Sequence, residues 1–314
     1  MTDEQALVQA IWQEHALSPA FLEEMGRICP WSALSPAPDD LSLGNLPRWI
    51  CRSGGGQARA VIPVSVAWNL LLRTFAVFDN IEDGDVSLEQ PQLAVWLNAA
   101  LGLLFTASSA LQRLEAYGVE PATAMAIRYQ FYPALLPMFS GQHQALTLQI
   151  PTLDEYWAVT AAKIGTPFGL VCWTAARLAR SDAAYLEGWR QFGLGLGVLA
   201  QIKDDLLDLW DSERAIGDFR RYHSLALPSV YALDVLPPDE QAELRRCLRE
   251  APHSPAHEQQ ARQIVVESGA GVYLAVQSSL QYDRLVGLLT GLISAESDRQ
   301  PLLDYLALTR LVTP

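Results

Sequence analysis

Apolar residues recur at helical spacing along most of the chain, and no sustained apolar/polar alternation marks a half-buried strand. Leu7, Ile11 and Trp12 define an amphipathic helix within residues 2–26, with a break near Pro19. Residues 30–59, rich in Pro, Ser and Gly, predict a long connection. Residues 64–83 predict a long apolar helix stopped by Gly84, and residues 93–117 a second one ended by Gly118. Residues 121–148 continue the helical pattern, which Pro133 and Pro137 should kink or divide. Thr152 and Glu155 have capping-box spacing and open a helix that carries Lys163, and the G-T-P at residues 165–167 should bend it. Residues 182–211 predict one long element containing Gly193, Gly195 and Gly197. A helical glycine costs about 1 kcal/mol against alanine, so these positions call for a close approach by another element. Beyond a polar loop at residues 214–224, helices are predicted over 227–236, 238–249, 255–267, 271–294 and 301–310. The resulting fold class is all-α, one domain over residues 1–314, with helices 64–83 and 192–210 central.

Each of the two central helices ends in carboxylates. D-N-I-E-D at residues 79–83 and D-D-L-L-D at residues 204–208 both place acids four apart, one turn up the same helix face. Like charges at that spacing repel, and oxygen-only donors without Cys or His fit Mg²⁺ better than zinc. A solvated acidic face is the other reading of either cluster, although both end long apolar stretches. Metal ions held by Asp79, Asp83, Asp204 and Asp208 would suit a diphosphate and the charge that develops as it leaves. Lys163 would add a fixed positive charge there, or else snorkel from a helix edge. Trp68, Leu71, Phe75, Phe78, Phe168, Leu196 and Leu199 either shelter a hydrocarbon tail or form ordinary core.

Composition limits the choices. Half of the 314 residues are apolar and 18% are charged, which excludes disorder. The net charge of −13 argues against nucleic-acid or anionic-membrane binding through bulk electrostatics, but not against a phosphorylated ligand at a metal-filled site. Cys29, Cys51, Cys172 and Cys247 form no CxxC pair and, with no secretory leader, read as free thiols in a reducing compartment. No uninterrupted apolar run of about 18 residues is evident, so no spanning helix is read and a cytoplasmic protein is expected.

With these motifs in place, the chain resembles the trans-isoprenyl diphosphate synthase (polyprenyl synthetase) family. G-L-G-V-L-A-Q-I-K-D-D-L-L-D at residues 195–208 is similar to that family's second aspartate-rich region. D-N-I-E-D at 79–83, G-Q at 141–142, K-I-G-T-P-F at 163–168 and A-L-P at 226–228 match its other motifs in order and spacing. The resemblance implies an all-α isoprenoid-synthase fold and a Mg²⁺-dependent homodimeric prenyltransferase that ionises an allylic prenyl diphosphate, with three ions bound alongside the diphosphate. It makes Asp79, Asp83, Asp204 and Asp208 metal ligands. It sets Lys163, Gln201 and Gln142 near the allylic diphosphate, and Phe75 and Phe78 at the depth limit of the tail.

The departures concern the second substrate. Where the family carries G-G-K-R-x-R-P, residues 55–61 read G-G-Q-A-R-A-V, so Gln57 and Ala58 replace a basic pair. The family's R-R-G is absent from residues 87–91, a lysine is replaced by Ser224, and Asn80 replaces an aspartate. Charge-assisted contacts of about 1.5–3 kcal/mol each are lost, so isopentenyl diphosphate should bind poorly unless Arg59, Arg73, Arg220 or Arg221 compensates. Three functions stay open: prenyl transfer to isopentenyl diphosphate or another acceptor, cyclisation of one diphosphate by a class I terpene synthase, and an inactive partner subunit of an active synthase.

Overall fold

The computed structural model describes residues 1–82, 92–147, 152–210 and 226–309, and every regular element among them is helical. They are α1 (Asp3–Glu14), α2 (Pro19–Ile28), α3 (Trp31–Leu34), α4 (Leu46–Ser53), α5 (Ile62–Glu82), α6 (Gln92–Leu111), α7 (Pro121–Phe131) and α8 (Leu136–Thr147). There follow α9 (Leu153–Thr160), α10 (Thr166–Ala179), α11 (Ala183–Trp210), α12 (Leu227–Val235), α13 (Pro238–Glu250), α14 (Pro255–Glu267), α15 (Ala270–Leu292) and α16 (Glu296–Thr309). The chain groups into two compact units, one of Met1–Leu135, Gly169–Gly193 and Leu288–Tyr305, the other of Leu136–Phe168, Leu194–Gly287 and Leu306–Pro314.

In the first unit α5 is the core. Residues 62–71 carry no charge and are buried all round, with Ser65 and Asn69 the polar side chains in an otherwise apolar stretch, as suits a central helix. Its main partner is α6, and α1 packs on both. The Trp12 indole donates to Thr106 Oγ1 at 3.1 Å, which satisfies the polar atom of a large buried ring. The stretch expected to be one long connection is partly helical, forming α3 and α4. Pro47 sits in the first turn of α4, where its fixed φ and missing N–H suit helix initiation. Residues 34–44 are tied down on α5, because Asn69 Nδ2 donates to the carbonyls of Leu34 and Gly44 and the Trp68 indole donates to that of Leu43. The helix expected to end at residue 117 leaves α geometry at Leu111. A 3₁₀ turn at Glu115–Tyr117 follows, and Gly118 closes it at φ +89°.

In the second unit Tyr156, Ile202, Leu206, Leu227, Val230 and Leu274 belong to one buried cluster. Tyr231 and Tyr273 pack against that cluster and stack with centroids 4.3 Å apart. Pro133 and Pro137 divide the helical stretch as expected, leaving a 3₁₀ turn between α7 and α8. The capping box is formed: Thr152 Oγ1 accepts from Glu155 N, and the Glu155 carboxylate accepts from Thr152 N at 2.8 Å.

Two helices, α5 and α6, are long and apolar enough to cross a membrane, which the search for uninterrupted apolar runs passed over. In α5 that length is mostly buried within the protein, whereas the same stretch of α6 is only a third buried. All four cysteines are free and buried. Burial pushes the Cys29 and Cys51 thiols up to about 11 and raises those of Cys172 and Cys247 as well.

Glu4 of α1 is almost fully buried and pairs with Arg48 of α4, which also bonds Asn45 and the carbonyl of Pro36. Removing one member of a buried pair strands the other charge. Arg48→Met should therefore lower the unfolding free energy by about 3 kcal/mol, and adding Glu4→Gln should restore part of it, as read from urea denaturation of the single and double variants.

Candidate functional site

Lys163 lies in a π-helical turn, Ala161–Gly165, inserted between α9 and α10, so the bend expected at G-T-P takes the form of a widened turn. Turns of this kind re-aim side chains and occur disproportionately at functional positions. Two glycines clamp this one. A Cβ on Gly197 of α11 would stand 2.7 Å from the Ile164 carbonyl oxygen and 3.0 Å from Gly165 Cα. A Cβ on Gly141 of α8 would stand 2.7 Å from the Lys163 nitrogen. Both obstacles are backbone, so the close approach inferred from helical glycines is real at Gly197. At Gly195 the neighbours are instead the side chains of Gln281 and Leu285. Lys163 and Gln142 are each half-buried here.

Seven and eight residues beyond Gly197, the two acids that begin D-D-L-L-D divide sharply. Asp204 is exposed, whereas Asp205 is buried and accepts three hydrogen bonds. They come from Tyr156 Oη at 2.7 Å, Gln201 Nε2 at 2.8 Å and the Leu227 backbone N–H at 2.8 Å. The last bond matters because α12 begins at Leu227 and its N-cap, Ala226, has no side chain to cap it. Asp205 performs that role from α11. Burial raises its carboxyl to about 6, opposed by the bonds from Tyr156, Leu227 and Gln201. Tyr156, whose phenol burial and the adjacent carboxylate push up, was not singled out in the sequence. Its position seven residues before Lys163 in an apolar helix was the available signal.

Gln201 is half-buried, and its amide nitrogen donates to Asp205 one turn away. Asp208 follows Asp204 by one turn of α11, but its side chain lies outside the described residues, as do Asp83, Ser224, Arg220, Arg221 and residues 87–91.

In the first unit Asp79 is half-buried in the last turn of α5, with Phe75 one turn before it and Phe78 beside it, both half-buried. Trp68 and Leu71 are fully buried, as ordinary core would be. Arg59 stands at the other end of α5. Its guanidinium lies 5.5 Å from the Tyr117 ring centroid and donates to the Ala116 carbonyl. It precedes α5, whereas Asp79 is about 26 Å along that helix at 1.5 Å per residue. Gly56, Ala58 and Val61 line a cavity of about 490 Å³ at that same N-terminal end, with Glu4 and Arg48. Residues 55–61 are thus remote from Asp79.

Among the described residues no group of three His, Cys, Asp or Glu side chains forms a closed metal site. The donor set still fits Mg²⁺, which takes one or two carboxylates and fills its remaining positions with water and phosphate oxygen. Asp204 is suitable for this, and Asp205, saturated by three donors, is not.

Comparison with known proteins gives a consistent picture. The family model described as polyprenyl synthetase matches residues 90–265, a span that includes K-I-G-T-P-F and D-D-L-L-D but not Asp79. Geranylgeranyl diphosphate synthase of Mycobacterium tuberculosis is 27% identical over 192 residues, covering 57% of this chain. The match spans about half of that relative's length, 54%. Among solved structures, polyprenyl synthetase from Streptomyces coelicolor superposes with a TM-score of 0.77 at 18% identity, over 98% of each chain. A polyprenyl synthase from Caulobacter crescentus, complexed with calcium and isoprenyl diphosphate, gives 0.75 at 18% identity, also over 98% of each chain. These likenesses show the same all-α fold as isoprenoid synthases.

Two outcomes test the clamp and the hub. Gly197→Ala should cost about 1–3 kcal/mol, because a carbonyl oxygen cannot swing aside as a side chain can. Gly26→Ala in α2, where an added Cβ meets nothing within 4 Å, should instead be neutral or stabilising by up to about 1 kcal/mol. Tyr156→Phe should cost about 1.5–3 kcal/mol by removing a donor from a buried carboxylate. Thermal and urea unfolding of the three variants would measure these differences.

Proposed function

Because the chain belongs to the polyprenyl synthetase family, we propose that it transfers a prenyl group from an allylic isoprenoid diphosphate in a Mg²⁺-dependent reaction. The observation that carries this reading is the split within D-D-L-L-D: Asp205 is used up in holding α11 to α9 and α12, while Asp204 is left on the exposed face. In this reading Asp204 with Asp208, and Asp79 with Asp83, hold Mg²⁺ through oxygen. When bound, the metal would neutralise the charge that develops on the departing diphosphate. Lys163, held by the glycine clamp, supplies a positive charge to the same diphosphate, and Gln142 lies on the neighbouring α8. Phe75 and Phe78 bound the prenyl tail. The allylic C–O bond breaks with its electron pair leaving on the diphosphate, the acceptor's electron pair forms the new bond to carbon, and the acceptor loses a proton. Residues 1–314 are read as one isoprenoid-synthase-like domain, supported by structural matches over nearly the whole chain.

A homodimer is part of the same reading. Leu101 and Phe105 stand one turn apart on the outer face of α6, with Phe105 68% exposed. A helix this apolar and so little buried requires a cover. Light scattering should give twice the mass of one chain, and Phe105→Glu should give monomers.

Calorimetry with farnesyl thiodiphosphate tests the central proposal. Binding should require Mg²⁺, and Asp204→Asn should weaken it at least tenfold, about 1.4 kcal/mol, without loss of fold. Binding that is indifferent to Mg²⁺ and to Asp204 would overturn it.

A further inference from the structure

A second cavity in the first unit, about 820 Å³, is large enough for a small organic substrate and opens beside α5. Its walls are residues of the segment 30–44, together with Asn69, Leu72 and Arg73 of α5 and Tyr305 of α16. This wall is fixed: Asn69 holds two carbonyls of the segment, and a Cβ on Gly44 would collide with Asn69 Oδ1 at 2.5 Å. Leu72 precedes Asp79 by seven residues, two turns, so the two lie within about 20° on one face of α5 and about 10 Å apart along its axis. Through Leu72 the cavity borders the helix face that carries Asp79, while Asn69 and Arg73 continue its wall about 80° and 120° around the helix from that residue.

The charge in the cavity selects what it can hold. Among the described lining residues, Arg73 is the cation and Asp40 the anion, and the other polar side chains are Ser32, Ser42, Asn69 and Tyr305. Asp40 is exposed and accepts from the Ala37 backbone N–H at 3.1 Å, so its carboxylate is anchored at the rim. The formal charges cancel. A diphosphate brings several negative charges and needs several charge-assisted donors, whereas one guanidinium matches one carboxylate with a two-pronged contact. Pro30, Ala33, Pro36, Leu43 and Leu72 leave the remainder of the wall apolar.

We propose that this cavity is the acceptor pocket, and that it takes an apolar-bodied acceptor with a single negative charge set against Arg73 instead of a second diphosphate. The inference rests on the prenyl-transfer reading for its role as acceptor, though the cavity's charge preference is measurable on its own. The test is equilibrium binding of 4-hydroxybenzoate and of isopentenyl diphosphate to the full-length protein, wild type, Arg73→Gln and Asp40→Asn. The monoanion should bind at least tenfold more tightly than the diphosphate. Arg73→Gln should remove at least tenfold of that affinity, and Asp40→Asn, an exposed change that leaves the core intact, should narrow the gap by strengthening diphosphate binding. Tighter binding of the diphosphate to wild type, an Arg73→Gln variant with unchanged monoanion affinity, or binding of neither probe would overturn the proposal. Farnesyl thiodiphosphate with Mg²⁺, measured on the same samples, separates the two readings. Its failure to bind would remove prenyl transfer without touching the charge preference, and its binding beside a failed charge preference would remove only the pocket.

Discussion

A carboxylate buried in a protein core survives only if its lone pairs are taken by donors, and in the second unit that requirement organises much of what surrounds it. Asp205 gathers a phenol from α9, an amide from its own helix and the first N–H of α12. Three helices thereby share one polar atom group inside an otherwise apolar cluster. The neighbouring Asp204 inherits a fixed direction, because rotating α11 to bury it would leave the Tyr156 hydroxyl and the Leu227 N–H without their acceptor. Precision at the exposed acid comes from obligation at the buried one.

The backbone clamp at Gly197 acts with this hub. Packing of side chains alone leaves helices 8–10 Å apart, and removing the Cβ lets α11 approach the Ile164 carbonyl directly. A π turn is one residue too wide for an α-helix, and the widened backbone around Lys163 is what fills the space between Gly141 and Gly197. The two helical glycines and the irregular turn thus belong to one arrangement.

Long elements were legible in the sequence because their signals are local. The capping box at Thr152, the glycine end at Gly118 and the proline divisions near Pro133 depend on residues within a turn or two. The segment 30–59 misled because Pro and Ser read as loop, yet Pro47 is favourable in the first turn of a helix and the segment is held by Trp68 and Asn69, far along the chain. The acid clusters were visible as residue types, with Asp204 and not Asp205 read as a metal ligand, but the groups that bury Asp205 were not legible, since Tyr156 and Leu227 lie 49 and 22 residues away. Arg59 shows the same limit: its charge was evident, while its commitment to Tyr117 and Ala116 depended on contacts 57 or so residues away.

The four buried thiols give the protein an internal clock. A thiol reacts as its thiolate, and here burial suppresses both ionisation and access, so a labelling reagent must wait for the surrounding structure to open. Cys29, Cys51 and Cys172 lie in the first unit and Cys247 in the second. The order in which the four are modified under native conditions is therefore a record of which unit breathes first, written in mass and readable without any probe added to the chain.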